Sequence, residues 1–100
     1  MTREDEILEW IRDGLERFSA ELEGYRVVLF GSRSHRNHRE RSDFDLGIYG
    51  DTPVPLRTFY EISDFLDQIP TLYRIDWVDL NRAAAAVKKN ALSNAKVIYG

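Results

Sequence analysis

Apolar residues recur along the first quarter of the chain at three- and four-residue spacing: Ile7, Leu8, Ile11, Leu15, Phe18 and Leu22. That stripe predicts a helix from about Arg3 to Leu22, with Gly24 near its end. Thr2 and Asp5, ahead of the stripe, have the spacing of a capping box. "YRVVLF" (25–30) is a short β-rich run that stops at Gly31. "DFDLGIY" (43–49) alternates, with Phe44, Leu46 and Ile48 on one face and Asp43, Asp45, Gly47 and Tyr49 on the other. After the turn "GDTPVP", Leu56, Phe59, Tyr60, Ile62, Phe65, Leu66 and Ile69 mark a second helix, stopped by Pro70. "YRIDWVDL" (73–80) reads as a third strand with Asp76 inside it, "NRAAAAVKKNALSNA" as helix-prone, and "KVIY" as a last short strand. The order α-β-β-α-β-α-β predicts an α/β (α+β) fold: a small mixed sheet of about four strands with helices packed on one face.

The totals narrow the picture. One hundred residues give room for a single domain, 1–100, with one modest core. Aromatic residues at 12% and a hydrophobic share of 43% fit a globular chain and not a disordered one. A net charge of -3 argues against a nucleic-acid coat. No apolar run approaches the ~18 residues of a membrane span. The acidic, amphipathic start "MTREDEILEW" is unlike a secretory signal, so a cytoplasmic protein is expected. With no cysteine, a disulfide framework, a cysteine zinc site and a thiol nucleophile are excluded.

The carboxylates change the picture most. Aspartate suits strands poorly, and alternate side chains on one strand lie only ~7 Å apart. Asp43 and Asp45 on one face therefore repel each other unless a cation sits between them. Magnesium takes a few carboxylates plus phosphate oxygens and water, and Asp76 on a neighbouring strand could supply a third. Two metals ~3.5–4 Å apart on such a cluster would clamp both reacting oxygens of a phosphoryl or nucleotidyl transfer. The plainer explanation is an acidic strand edge that discourages aggregation.

Gly31-Ser32 after an apolar strand adds to the first reading. Glycine lets a phosphate approach the backbone, and Ser32 and the following amides would donate to phosphate oxygens if they open a helical turn. Arg33, Arg36, Arg39 and Arg41 could neutralise a triphosphate, although a solvated charge run is the more usual explanation. His35 and His38 lack further histidines and have cationic neighbours, which disfavours a metal site there. Tyr49, on the face of Asp45, is expected to face solvent. An RNA-contacting module built on the arginine loop conflicts with the net acidic chain and the lack of an exposed aromatic platform.

Taken together, Gly31-Ser32, ten residues, Asp43-x-Asp45 and a later strand Asp76 resemble the G-S-x10-D-x-D signature of the DNA polymerase beta-like nucleotidyltransferase superfamily. "LFGSR", "SDFDL", "IDWVDL" and the closing "AKVIYG" are similar to its smallest members, the minimal nucleotidyltransferase (MNT) antitoxins paired with HEPN-domain toxins. The resemblance implies the polymerase beta-like palm fold. It implies that Asp43, Asp45 and Asp76 are catalytic and ligate magnesium, with Asp76 also helping the acceptor hydroxyl lose its proton. Gly31 and Ser32 would hold the β- and γ-phosphates, and Arg33 would orient phosphate or structure. It further implies ATP as substrate, two magnesium ions, and a hetero-oligomer in which AMP passes to a tyrosine of the HEPN partner. No direct contact with nucleic acid or membrane is expected. The sequence departs from the usual "GSRARG" at Arg36, where glycine is usual and a side chain would tighten or block the nucleotide loop. The alternative within the same family is an antitoxin that neutralises its toxin by binding alone.

Overall fold

The computed structural model describes residues 3–30, 44–71, 73–93 and 95–100. Among the described residues seven elements follow in the expected order: α1 (Arg3–Glu16), β1 (Arg26–Phe30), β2 (Phe44–Tyr49), α2 (Leu56–Asp67), β3 (Ile75–Asp79), α3 (Ala85–Ser93) and β4 (Lys96–Tyr99). Helix α1 ends six residues before the expected Leu22. The amides of Arg17, Phe18 and Ser19 bond to the carbonyls three residues back, Gly14, Leu15 and Glu16, at 3.1, 2.9 and 3.1 Å. Those links wind the chain more tightly than an α-helix. The chain stays coiled through turns to Gly24, whose φ of 86° suits glycine, so Leu22 keeps its core position at 2% exposure. The apolar stripe therefore outlasts the helix that it predicts. The Thr2 capping box lies outside the described residues.

The four strands form one mixed sheet in the order β3-β2-β1-β4. β1 runs antiparallel to both β2 and β4, and β2 runs parallel to β3. Parallel neighbours need a long crossover, usually a helix, and α2 provides it. At the far end of β3 the Asn81 side chain donates to the Gly50 carbonyl at 2.7 Å and accepts from the Gly50 amide at 3.3 Å. Arg82 donates to the Val54 carbonyl at 2.7 Å and also pairs with the buried Asp79. These bonds tie the end of β3 to the turn that leaves β2 and so hold the register between the two strands.

Alternation puts Val27, Leu29, Leu46 and Ile48 on one sheet face, where Ile7, Ile11 and Leu15 of α1 and Ile62 and Leu66 of α2 cover them. Each such side chain gains about 1.5–3 kcal/mol from burial. The same alternation makes the other face of β1 apolar too, through Val28 and Phe30. Here the structure differs from the expectation of helices on one face: α3 packs on this second face, where Ala91 and Leu92 meet Val28, Leu80 and Phe30. Helix α3 carries small alanines and no clear apolar stripe, so its side of the sheet was not written in its periodicity. No helix among the described residues is long and apolar enough to cross a membrane.

Candidate active site

Phe44 and Leu46 are buried at 1% and 0% exposure against the α1–α2 layer. Strand alternation then forces Asp45, between them, onto the α3 face. In the parallel pairing of β2 and β3 the partner of Asp45 is Asp76. Paired residues on adjacent strands point to the same face, with their backbones ~4.8 Å apart. On its other side Asp45 faces Phe30, the last residue of β1. Phe30, Asp45 and Asp76 thus form one rung across three strands. The rung sits at the end of the sheet where β1 finishes, immediately before Gly31-Ser32 in the chain.

Two features start β3 correctly at this rung. The Phe44 amide donates to the Arg74 carbonyl at 2.8 Å, which opens the β2–β3 ladder. Arg74 Nε lies 3.0 Å from Asp76 Oδ1, with the two side chains 74% and 34% exposed. The guanidinium therefore offsets one charge of the carboxylate pair while staying largely in water, where it can be displaced. Arg74 does not stand out in the sequence by itself. Its signal was the spacing, since residues two apart on a strand share a face.

Of the residues singled out in the sequence, Asp45 and Asp76 are brought together. Asp43, Gly31, Ser32, Arg33, Arg36, His35 and His38 lie outside the described residues. Among the described residues no group of three carboxylates or histidines could hold a metal ion, so the described part of the cluster is the Asp45–Asp76 pair. Tyr49 corrects one expectation. It is half-buried, packs with the Val28–Leu80–Ala91 cluster, and has Lys88 Nζ 5.9 Å from its ring centroid. Lysine and helix α3 cover a ring that was expected to face solvent.

Chemically, the rung offers two hard oxygen donor groups on adjacent strands, at the end of the sheet where β1 finishes. That donor type suits a divalent ion such as magnesium, which prefers one or two carboxylates with the remaining positions taken by water and phosphate.

A mixed sheet of this order, with helices on both faces, gives an α+β architecture. The sequence matches the family described as polymerase beta, nucleotidyltransferase, over residues 16–100. The chain belongs to that family. Among solved structures, it is similar to a toxin–antitoxin with AMP-PNP, with a TM-score of 0.65 and 21% identity, covering 99% of this chain and 74% of that one. It is similar also to the tri-AMPylated Shewanella oneidensis HEPN toxin in complex with MNT antitoxin, with a TM-score of 0.60, 16% identity and coverage of 93% and 72%. A third, the toxin–antitoxin MntA–HepT, gives a TM-score of 0.59, 15% identity and coverage of 92% and 72%. At these identities the likeness is one of fold. No curated protein matches the sequence.

Proposed function

We propose that this chain is the antitoxin of a HEPN/MNT pair, acting as one domain in the cytoplasm, and that it transfers AMP from ATP to a tyrosine of its partner toxin. The single observation that carries this reading is the Asp45–Asp76 rung beside the end of β1. Solved complexes of similar fold support it: one holds AMP-PNP, and another pairs an MNT antitoxin with an AMPylated HEPN toxin.

In the proposed reaction the tyrosine oxygen forms a bond to the α-phosphorus of ATP. The bond from that phosphorus to the bridging oxygen breaks, and pyrophosphate leaves. Asp76 accepts the hydroxyl proton, and its half-exposed position lets it pass that proton to water. Asp43, Asp45 and Asp76 would hold the magnesium ions, which supply neutralisation of phosphate charge when bound. Gly31 and Ser32 hold the β- and γ-phosphates, and Arg33 orients them. The protein contributes position and field, with no covalent intermediate on the chain. This chain spans 74% and 72% of two of the solved chains that it matches, and in the proposed reaction the acceptor comes from the partner.

A second reading, neutralisation by binding alone, is favoured by one observation. The Arg74–Asp76 ion pair gives Asp76 a structural occupation that needs no metal. The two readings separate in one experiment. Asp45→Asn is combined with the partner and labelled ATP. Loss of both label transfer and neutralisation supports the enzyme; neutralisation that persists without transfer supports the binding antitoxin.

A further inference from the structure

Arg74 stands at the head of β3, two residues before Asp76 and on the same face. Its backbone is fixed, because its carbonyl accepts the Phe44 amide at 2.8 Å and so starts the β2–β3 ladder. Its side chain is 74% exposed, with Nε 3.0 Å from Asp76 Oδ1. Asp76 in turn is the register partner of Asp45. The carboxylate that a divalent ion would take is therefore the one that the guanidinium holds. Two cations on one carboxylate repel each other, so ion and guanidinium compete for Asp76. A displaced guanidinium stays close, since its stem is anchored at the strand head. Magnesium takes phosphate oxygens among its remaining ligands, and oxygens on one such ion lie within about 4 Å of each other, twice the metal–oxygen distance. A nucleotide phosphate on the ion thus comes within reach of Arg74, and a guanidinium fork matches phosphate oxygens well.

We propose that Arg74 couples metal binding to nucleotide binding: it holds Asp76 against a bare divalent ion and passes to the phosphate chain when the ion arrives with a nucleotide. The inference rests on the nucleotidyltransferase reading and uses Arg74, Asp76 and Asp45 alone. Two consequences of opposite sign follow. For the bare ion Arg74 is a competitor, so its loss tightens binding. For the ion with its nucleotide Arg74 is a contact, so its loss weakens binding. A side chain that only kept β3 in shape would, on removal, weaken both.

The test is a pair of dissociation constants measured on the full chain. One is for Mn2+ alone, from the paramagnetic resonance of the free ion. The other is for the Mn2+ complex of the ATP analogue AMP-PNP, from calorimetry. An exposed ion pair is worth up to about fivefold in a binding constant. Arg74→Gln is therefore expected to bind Mn2+ about fivefold more tightly than wild type and Mn2+–AMP-PNP about fivefold more weakly. Arg74→Lys, which keeps the charge, stays within about twofold of wild type for both. Should R74Q not fold, as its melting curve shows, Arg74→Met carries the same comparison. Shifts of one sign for the two ligands, or an unmoved constant for either, overturn the proposal. Asp45→Asn runs alongside with Mn2+–AMP-PNP. If D45N binds it as tightly as wild type, the carboxylate rung is not the metal site and the nucleotidyltransferase reading itself has failed. A large loss in D45N beside an indifferent Arg74 removes the coupling alone.

Discussion

Asp76→Asn separates catalysis from stability at the same residue. Asparagine keeps the shape and can still accept from Arg74 through its carbonyl oxygen, so the change removes charge and proton-accepting power. The stability effect follows from the ion pair. At 3.0 Å in water-like surroundings two unit charges attract by about 1.4 kcal/mol. With the side chains 74% and 34% exposed, screening and the cost of holding a long side chain reduce this to about 0.2–1 kcal/mol. One kcal/mol moves the melting temperature of a domain this size by about 4–8 °C. The D76N protein therefore melts no more than ~8 °C below wild type. Transfer should fall far more, by about 10²–10⁴-fold, or ~2.7–5.4 kcal/mol, the scale of losing one positioned general base. Initial rates with labelled ATP and the partner, read beside calorimetric melting of each protein, test both numbers. Transfer within threefold of wild type in a folded D76N protein would refute the role given to Asp76.

Three further outcomes follow from the same structure. Magnesium with ATP at about 100 times the dissociation constant should stabilise the wild-type complex by ~2.7 kcal/mol, and chelation should remove the gain; an unshifted melting curve counts against an intact site. Gly14→Ala should cost about 1–3 kcal/mol in urea unfolding, because a Cβ there runs into the Phe65 ring, and a midpoint equal to wild type would show that α1 and α2 are not packed as described. Tyr99 has its hydroxyl pushed above the ordinary 10.0 by burial and, second, by the Glu16 charge. With a raised folded pKa its stabilising contribution is complete below pH 10 and is lost as pH climbs through the folded value. Wild-type stability should thus fall more steeply than that of Tyr99→Phe above pH 10, and parallel curves would contradict it.

Element order was legible because each strand or helix carries its own local signal. The run Val27–Phe30 and the closing Lys96–Tyr99 segment stand between turn residues, and the stripe Ile62–Leu66 fixes the buried face of α2. Two features escaped for a physical reason. The stripe through Phe18 and Leu22 continues where the hydrogen bonds have already tightened, since burial depends on where a side chain points and not on which carbonyl its amide reaches. Helix α3 buries alanines, which leave little amphipathic contrast, so its placement on the second face depends on Val28 and Leu80 across the sheet. The acidic residues were conspicuous as misfits in strands. Their meeting was not, because the register of β2 on β3 is set by the crossover helix and by Asn81 and Arg82 at the far end. Arg74 matters only once that register exists.

The most direct measurement is the intact mass of the partner toxin after incubation with this protein, ATP and magnesium. A gain of one or more AMP units, with pyrophosphate released in equal number and none gained with Asp45→Asn, is the outcome that AMP transfer at the Asp45–Asp76 rung requires. A partner that is fully neutralised while its mass stays unchanged would contradict it.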